Sequence, residues 1–180
     1  PSQVNKYFNR PANIGGMTGI VSENLVSLDI DNVKSFQAFR SKLSQVQRKI
    51  INDLESATWT QQTPSAKFDP GRRQIFFRTE QPVKTKNLNK DRGYELRAQT
   101  RYGAPNYCAL PPSIYIDKKD GQYGLYVWTN RPDKILKISS LNDLDFLELE
   151  KADLADIQSQ SRPYGLSLWM WEVLKYGWYK

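Results

Sequence analysis

The sequence predicts an α+β domain, a mixed β-sheet core flanked by helices with a helical segment at the C-terminus. Apolar and polar residues alternate in "NLVSLDID" (24–31) and "RRQIFFRT" (72–79), the two-residue period of a strand with one buried face. Between these runs Phe36, Phe39, Leu43, Val46, Ile50 and Leu54 recur at three- and four-residue steps, which draws an apolar stripe along a helix. Strands and helices do not alternate as regular βαβ units, and that argues α+β.

Each element follows in order. "NRPANIGGMTG" (9–19) is rich in Gly and Asn and reads as an irregular lead-in. In the first strand Val26, Leu28 and Ile30 share one face, while Ser27, Asp29 and Asp31 share the other. Asn32 is placed to cap one helix from about Val33 to Ser56. "ATWTQQT" (57–63) is β-rich and "TPSAKFDPG" (63–71) is a loop. The next strand puts Ile75 and Phe77 on one face and Gln74, Phe76 and Arg78 on the other. A basic loop leads to the short strand "YELRA" (94–98), where Glu95 and Arg97 share a face. "NYCALPPSIYI" (106–116) reads as strand, Pro-Pro stop, strand, with Cys108 buried in the first. "KKDGQYGLYVWT" (118–129) has a hairpin pattern with Asp120-Gly121 as its turn. The tail from Leu141 is expected to be helical in two pieces broken near "SQSRPYG", with Trp169, Trp171 and Trp178 packing as core.

Composition narrows the chemistry. At 180 residues, 39% hydrophobic and 25% charged, the chain fits a single domain over 1–180 with an ordinary core. No run approaches the ~18 apolar residues of a membrane span, so no membrane partner is expected. No basic-then-apolar segment opens the chain, and a single cysteine excludes an internal disulfide. The expected compartment is therefore a reducing cytoplasm. Pro1 in place of Met leads us to expect a processed chain or a domain cut from a longer one.

Histidine is absent, which excludes a Ser-His-Asp triad, a Cys-His dyad and a His-ligated zinc or iron site. Any chemistry falls to carboxylates, Lys, Arg, Tyr or a hard metal such as magnesium or manganese. The net charge of +7 is uneven. Lys67 to Arg101 holds ten basic and four acidic residues, whereas Leu141 to Ile157 holds six acidic residues and one lysine. A basic middle points to a polyanion such as nucleic acid or nucleotide, or else to a solvated lysine-rich face.

Three strands thus carry polar groups on one face: Asp29 and Asp31, then Gln74 and Arg78, then Glu95 and Arg97. If they are neighbours, three carboxylates and a guanidinium converge, and packed carboxylates call for a cation. Taken alone, Asp-x-Asp reads first as the polar end of a strand, and Glu95 with Arg97 as an exposed ion pair worth ~0–1 kcal/mol.

Four motifs in order, "NIGGMTG" (13–19), "LVSLDID" (25–31), "PGRRQIFFR" (70–78) and "YELRAQTRYGAPNYCALPPSIY" (94–115), resemble the Prim-Pol domain of the archaeo-eukaryotic primase superfamily. The resemblance covers about residues 9–130 and leaves the mostly helical part 139–180 without matching motifs. It implies a Prim-Pol fold and a DNA primase/polymerase that transfers nucleotides from nucleoside triphosphates on a DNA template and primer. By the same resemblance Asp29, Asp31 and Glu95 hold Mg²⁺ or Mn²⁺, Arg97 faces the nucleotide, and Arg72 and Arg73 help bind its triphosphate. A helicase domain elsewhere in a larger replication protein is a further implied partner. Gln74 stands where the family has a nucleotide-contacting histidine. Glutamine donates hydrogen bonds to phosphate but carries no charge and shuttles no proton. This departure keeps two alternatives open, a weakened polymerase or an inactive nucleotide- or nucleic-acid-binding module. A metal-dependent nuclease is a third.

Overall fold

In the computed structural model, which describes residues 13–100, 104–116, 121 and 123–152, the run Leu25–Ile30 forms β2, the central strand of the main sheet. It is flanked by β4 (Arg73–Thr79) and β6 (Tyr94–Arg97), both antiparallel to it. Beyond β4 lie β3 (Trp59–Gln62) and β10 (Val127–Asn130), and beyond β6 lies the short β5 (Lys86–Asn87). The order is β10-β3-β4-β2-β6-β5, with β11 (Lys137–Ile138) added parallel to the end of β4. The α+β fold predicted from the sequence is the fold observed.

Register explains the core. Val26 pairs with Phe77, Leu28 with Ile75 and Leu96, and Ile30 with Tyr94, so one face of three strands is continuously apolar. Phe36, Phe39, Ile51, Leu54, Leu144 and Leu147 pack against it. Each such side chain contributes on the order of 1.5–3 kcal/mol when fully buried. Leu144 and Leu147 come from a 3-10 stretch, Leu141–Leu147, where the sequence suggested α-helix. The second tail piece and its tryptophans lie outside the described residues.

The single helix expected over 33–56 is two: α1 (Val33–Lys42) and α2 (Gln45–Ala57). Asn32 caps α1 as anticipated, its side chain accepting from the Ser35 N–H. Leu43 and Ser44 then turn extended, and Ser44 starts α2 with a reciprocal capping box to Gln47. The break resets the helical phase. Ile51 and Leu54 face the core, while Val46, assigned to the stripe, is 69% exposed.

The other face of β2 is buried too, contrary to the one-sided strand expected: Ser27 and Asp29 are both out of solvent. Above it lies a separate ribbon, β1 (Ile14–Met17) paired with β7 (Tyr107–Leu110). The ribbon is tied down where the Thr18 hydroxyl donates to the Ala98 carbonyl and Gln61 donates to that of Ala109. Cys108 is buried on β7, as expected. A cis Pro111–Pro112 bond separates β7 from β8 (Ile114–Ile116), which pairs with β9 (Tyr123–Leu125). Asp120 of the expected hairpin turn lies outside the described residues; Gly121 has φ +68°.

Gly93 locks α1 to β6. At φ +80° it accepts from the Asn32 N–H, and an added Cβ would lie 2.2 Å from the Asn32 carbonyl oxygen and 2.4 Å from the Phe36 nitrogen. Gly121 also has a positive φ but open space around it. Gly93→Ala is therefore expected to destabilise the fold by about 2 kcal/mol or more, and Gly121→Ala by about 1 kcal/mol. Urea unfolding of the two variants beside the parent checks that order.

Candidate active site: a carboxylate cluster on the central strands

Cross-strand pairing brings the polar groups together. Asp29 lies opposite Gln74 on one side and Glu95 on the other, and Gln74 lies opposite Gln61. Residues paired in this way share a sheet face with Cβ atoms about 4.5–5.5 Å apart. Asp31 follows just past the end of β2. One carboxylate oxygen from each of Asp29, Asp31 and Glu95 lies within 4.8 Å of the others. Arg97, one row back on β6, reaches forward with Nη2 2.9 Å from Asp29 Oδ2 and 3.0 Å from Glu95 Oε2.

Asp29 carries the electrostatic cost of this arrangement. Burial, and then the neighbouring Asp31 charge, push its pKa up to about 6 against the pull of Arg97 and the Gln74 hydrogen bond. Its Oδ2 accepts from Gln74 Nε2 at 2.7 Å and from Arg97, while Oδ1 is buried without a hydrogen-bond partner. One guanidinium does not balance three carboxylates. An all-oxygen donor set with a bare oxygen fits a hard divalent cation.

Two polar clefts meet at this cluster. One, of about 380 Å³, is bounded by Asp29, Asp31, Arg72, Gln74, Arg97 and Tyr126, among others. The other, of about 870 Å³, shares Asp31 and Arg72 and extends past Asn32, Asn87 and Lys90. Arg72 lines both and is ion-paired with Asp69 at 3.2 Å. Burial raises the pKa of the Tyr126 hydroxyl, which keeps it a neutral donor at the cleft wall.

Of the residues singled out in the sequence, Asp29, Asp31, Glu95, Gln74, Arg97 and Arg72 come together. Arg73 does not. The alternation of β4 turns it to the helix-covered face, where Nη2 lies 2.5 Å from Glu55 Oε1 on α2 and the guanidinium sits over the Phe36 ring. Arg78 is also drawn away, to Glu23. Sequence reasoning missed Gln61 and Tyr126. The alternation in "WTQQ" places Gln61 on one face or the other, but only the β3–β4 register puts that face beside Gln74.

The basic middle of the chain is partly neutralised from within. Lys86 pairs with Glu148 and Glu150, and Arg92 pairs with Glu148, so the acidic stretch after Leu141 lies against β5 and the loop before β6.

A mixed sheet whose antiparallel central strands gather three carboxylates and an arginine beside polar clefts defines a class of domain suited to a divalent cation and phosphate oxygens. The family follows from the sequence as a whole: residues 1–144 match Prim-Pol, "Bifunctional DNA primase/polymerase, N-terminal", and the chain belongs to that family. The family is one of metal-dependent nucleotidyl-transfer domains. No curated protein matches the chain. Among the described residues no helix is long and apolar enough to cross a membrane.

The raised pKa of Asp29 has a defined sign. The folded state binds this proton more tightly than the unfolded chain, whose carboxyl titrates near the usual value. Stability of the metal-free protein therefore falls as pH rises from about 4 through about 6, by an amount on the order of 3 kcal/mol. Asp29→Asn is expected to stabilise the metal-free protein at pH 7 and to leave it unchanged near pH 4. Mg²⁺ is expected to raise the melting temperature of the parent more at pH 7 than at pH 5, and that of the variant at neither. Thermal melts across this range, with Mg²⁺ or EDTA, provide the check.

Proposed function

We propose that this domain catalyses template-directed nucleotidyl transfer from nucleoside triphosphates, using Mg²⁺ or Mn²⁺ held by Asp29, Asp31 and Glu95. The observation that carries the reading is the convergence of these three carboxylates, together with an Asp29 Oδ1 that has no hydrogen-bond partner among the described residues. A bound divalent cation supplies positive charge to phosphate oxygens and favours ionisation of an attacking hydroxyl.

The chain's own residues do the rest. Arg97 uses Nε and Nη2 on Glu95 and Asp29, which fixes its plane and leaves the Nη1 donors for a phosphate oxygen. Arg72, held by Asp69 where the two clefts meet, offers a second cation to a triphosphate. Tyr126 narrows the cleft with a neutral hydroxyl. Arg73 is committed to Glu55, so its part is to hold α2 against the sheet rather than to contact nucleotide. The partners of this reaction would be a DNA template and primer, as the family's description implies.

Gln74 motivates a second reading, a nucleotide- or nucleic-acid-binding module without turnover. Its amide is spent within the protein, donating to Asp29 and accepting from Gln61, and it brings no positive charge to the cleft.

Primer extension with labelled nucleotides separates the readings. Incorporation with Mg²⁺ or Mn²⁺ is expected, lost in the double variant Asp29→Ala/Asp31→Ala and lowered about 10²-fold in Arg97→Ala. Salt-sensitive DNA binding without incorporation supports the second reading. Digestion of labelled DNA without added nucleotides points to a nuclease, and full-rate extension by the double variant excludes these carboxylates.

A further inference from the structure

A buried line of amides runs from the ribbon to the carboxylate cluster. Gln61 Nε2 donates to the Ala109 carbonyl on β7 at 2.8 Å and to Gln74 Oε1 at 2.5 Å. Gln74 Nε2 in turn donates to Asp29 Oδ2 at 2.7 Å. Gln61 is fully buried and Gln74 nearly so. A primary amide has two orientations of similar shape, and hydrogen bonding decides between them.

Here only one orientation works at each step. Reversing Gln61 would set its carbonyl oxygen against those of Ala109 and Gln74. Reversing Gln74 would turn its oxygen toward the Asp29 carboxylate. The backbone carbonyl of Ala109 accepts only, so it sets the direction of the whole line. That direction is kept although Gln61 Oε1 is left buried without a hydrogen-bond partner among the described residues.

We propose that Gln61 is a positioning residue for the carboxylate cluster. Anchored on Ala109, it holds the Gln74 amide with its N–H toward Asp29 Oδ2, so that Oδ1 is the oxygen Asp29 presents to a divalent cation. This inference rests on the metal-site reading of Asp29, Asp31 and Glu95 and adds to it a residue outside the family motifs quoted above. It also makes the seating of the β1–β7 ribbon part of the site, because the terminal acceptor belongs to β7. Nothing in it requires a charged side chain in place of Gln74.

The test is a Mn²⁺ titration of the full chain at pH 7.5, followed by the loss of the free-ion EPR signal. Four proteins are compared: the parent, Gln61→Leu, Gln74→Leu and the double variant, each confirmed folded by far-UV circular dichroism. Outer hydrogen-bond partners of metal ligands are typically worth 10–100-fold in affinity, so Gln61→Leu is expected to weaken Mn²⁺ binding about tenfold. Because Gln61 acts through Gln74, adding Gln61→Leu to Gln74→Leu is expected to change nothing further. Unchanged affinity in Gln61→Leu, or equal weakening in both backgrounds, overturns the proposal while leaving the metal site standing. A parent that binds no Mn²⁺ overturns the metal-site reading and this inference together. Side-chain amide exchange in the ¹⁵N-labelled parent gives a check independent of any variant. Slow exchange at Gln61 and Gln74 is expected, and exchange at the rate of a free amide overturns the relay.

Discussion

Asp29 sits on the central strand with β4 on one side, β6 on the other and a ribbon above, so its carboxylate is removed from water and set beside two more. An ionised carboxylate in that position is unfavourable without compensation. Much of the site serves to supply it. Arg97 bridges Asp29 to Glu95, Gln74 donates to the same oxygen as Arg97, and Gln61 holds Gln74. What the protein's own groups leave unbalanced is one oxygen of Asp29 and a surplus of negative charge, the conditions under which a divalent cation binds.

The scaffold keeps that arrangement in place by dividing the labour between the two sheet faces. The helix-covered face is apolar across β2, β4 and β6, and its register is fixed because a one-residue slip would turn polar groups into that core and set the apolar ones on the polar, ribbon-covered face. The same register sets Asp29 level with Gln74 and Glu95 on the opposite face. Packing on one side thus determines geometry on the other. Gly93 extends the coupling, since the start of α1 rests on it one residue before β6 begins.

Charge follows the same logic. The basic middle of the chain is not one uniform patch. Arg73 is held on the helix side by Glu55, Arg78 by Glu23, and Lys86 and Arg92 by the acidic stretch after Leu141. Among the described residues, Arg72 and Arg97 are the arginines that line the cleft beside the carboxylates. A cleft with a carboxylate floor and these guanidiniums at its sides is suited to a phosphate-bearing ligand that arrives with a cation.

The sequence by itself determined the principal strands, their faces and the family, because alternation and motif order are read along the chain. It did not show β1, whose segment reads as an irregular lead-in, or the 3-10 form of Leu141–Leu147, which reads as α-helix. "SLDID", "RRQIFFR" and "YELRA" each showed which residues share a face, and the joint order of the motifs singled out Asp29, Asp31 and Glu95. The sequence did not show that Leu43 and Ser44 interrupt the helix, because Ser44 as a cap and Ser44 as a helical residue leave almost the same apolar spacing. It left Arg72 and Arg73 equivalent, until the start of β4 at Arg73 turned the second of them to the far face. Gln61 was invisible, since its partners lie 13 and 48 residues away and meet it only through sheet register and the seating of a separate ribbon. Tertiary structure alone decided which polar groups touch, because contacts between distant strands depend on register and on what covers each face.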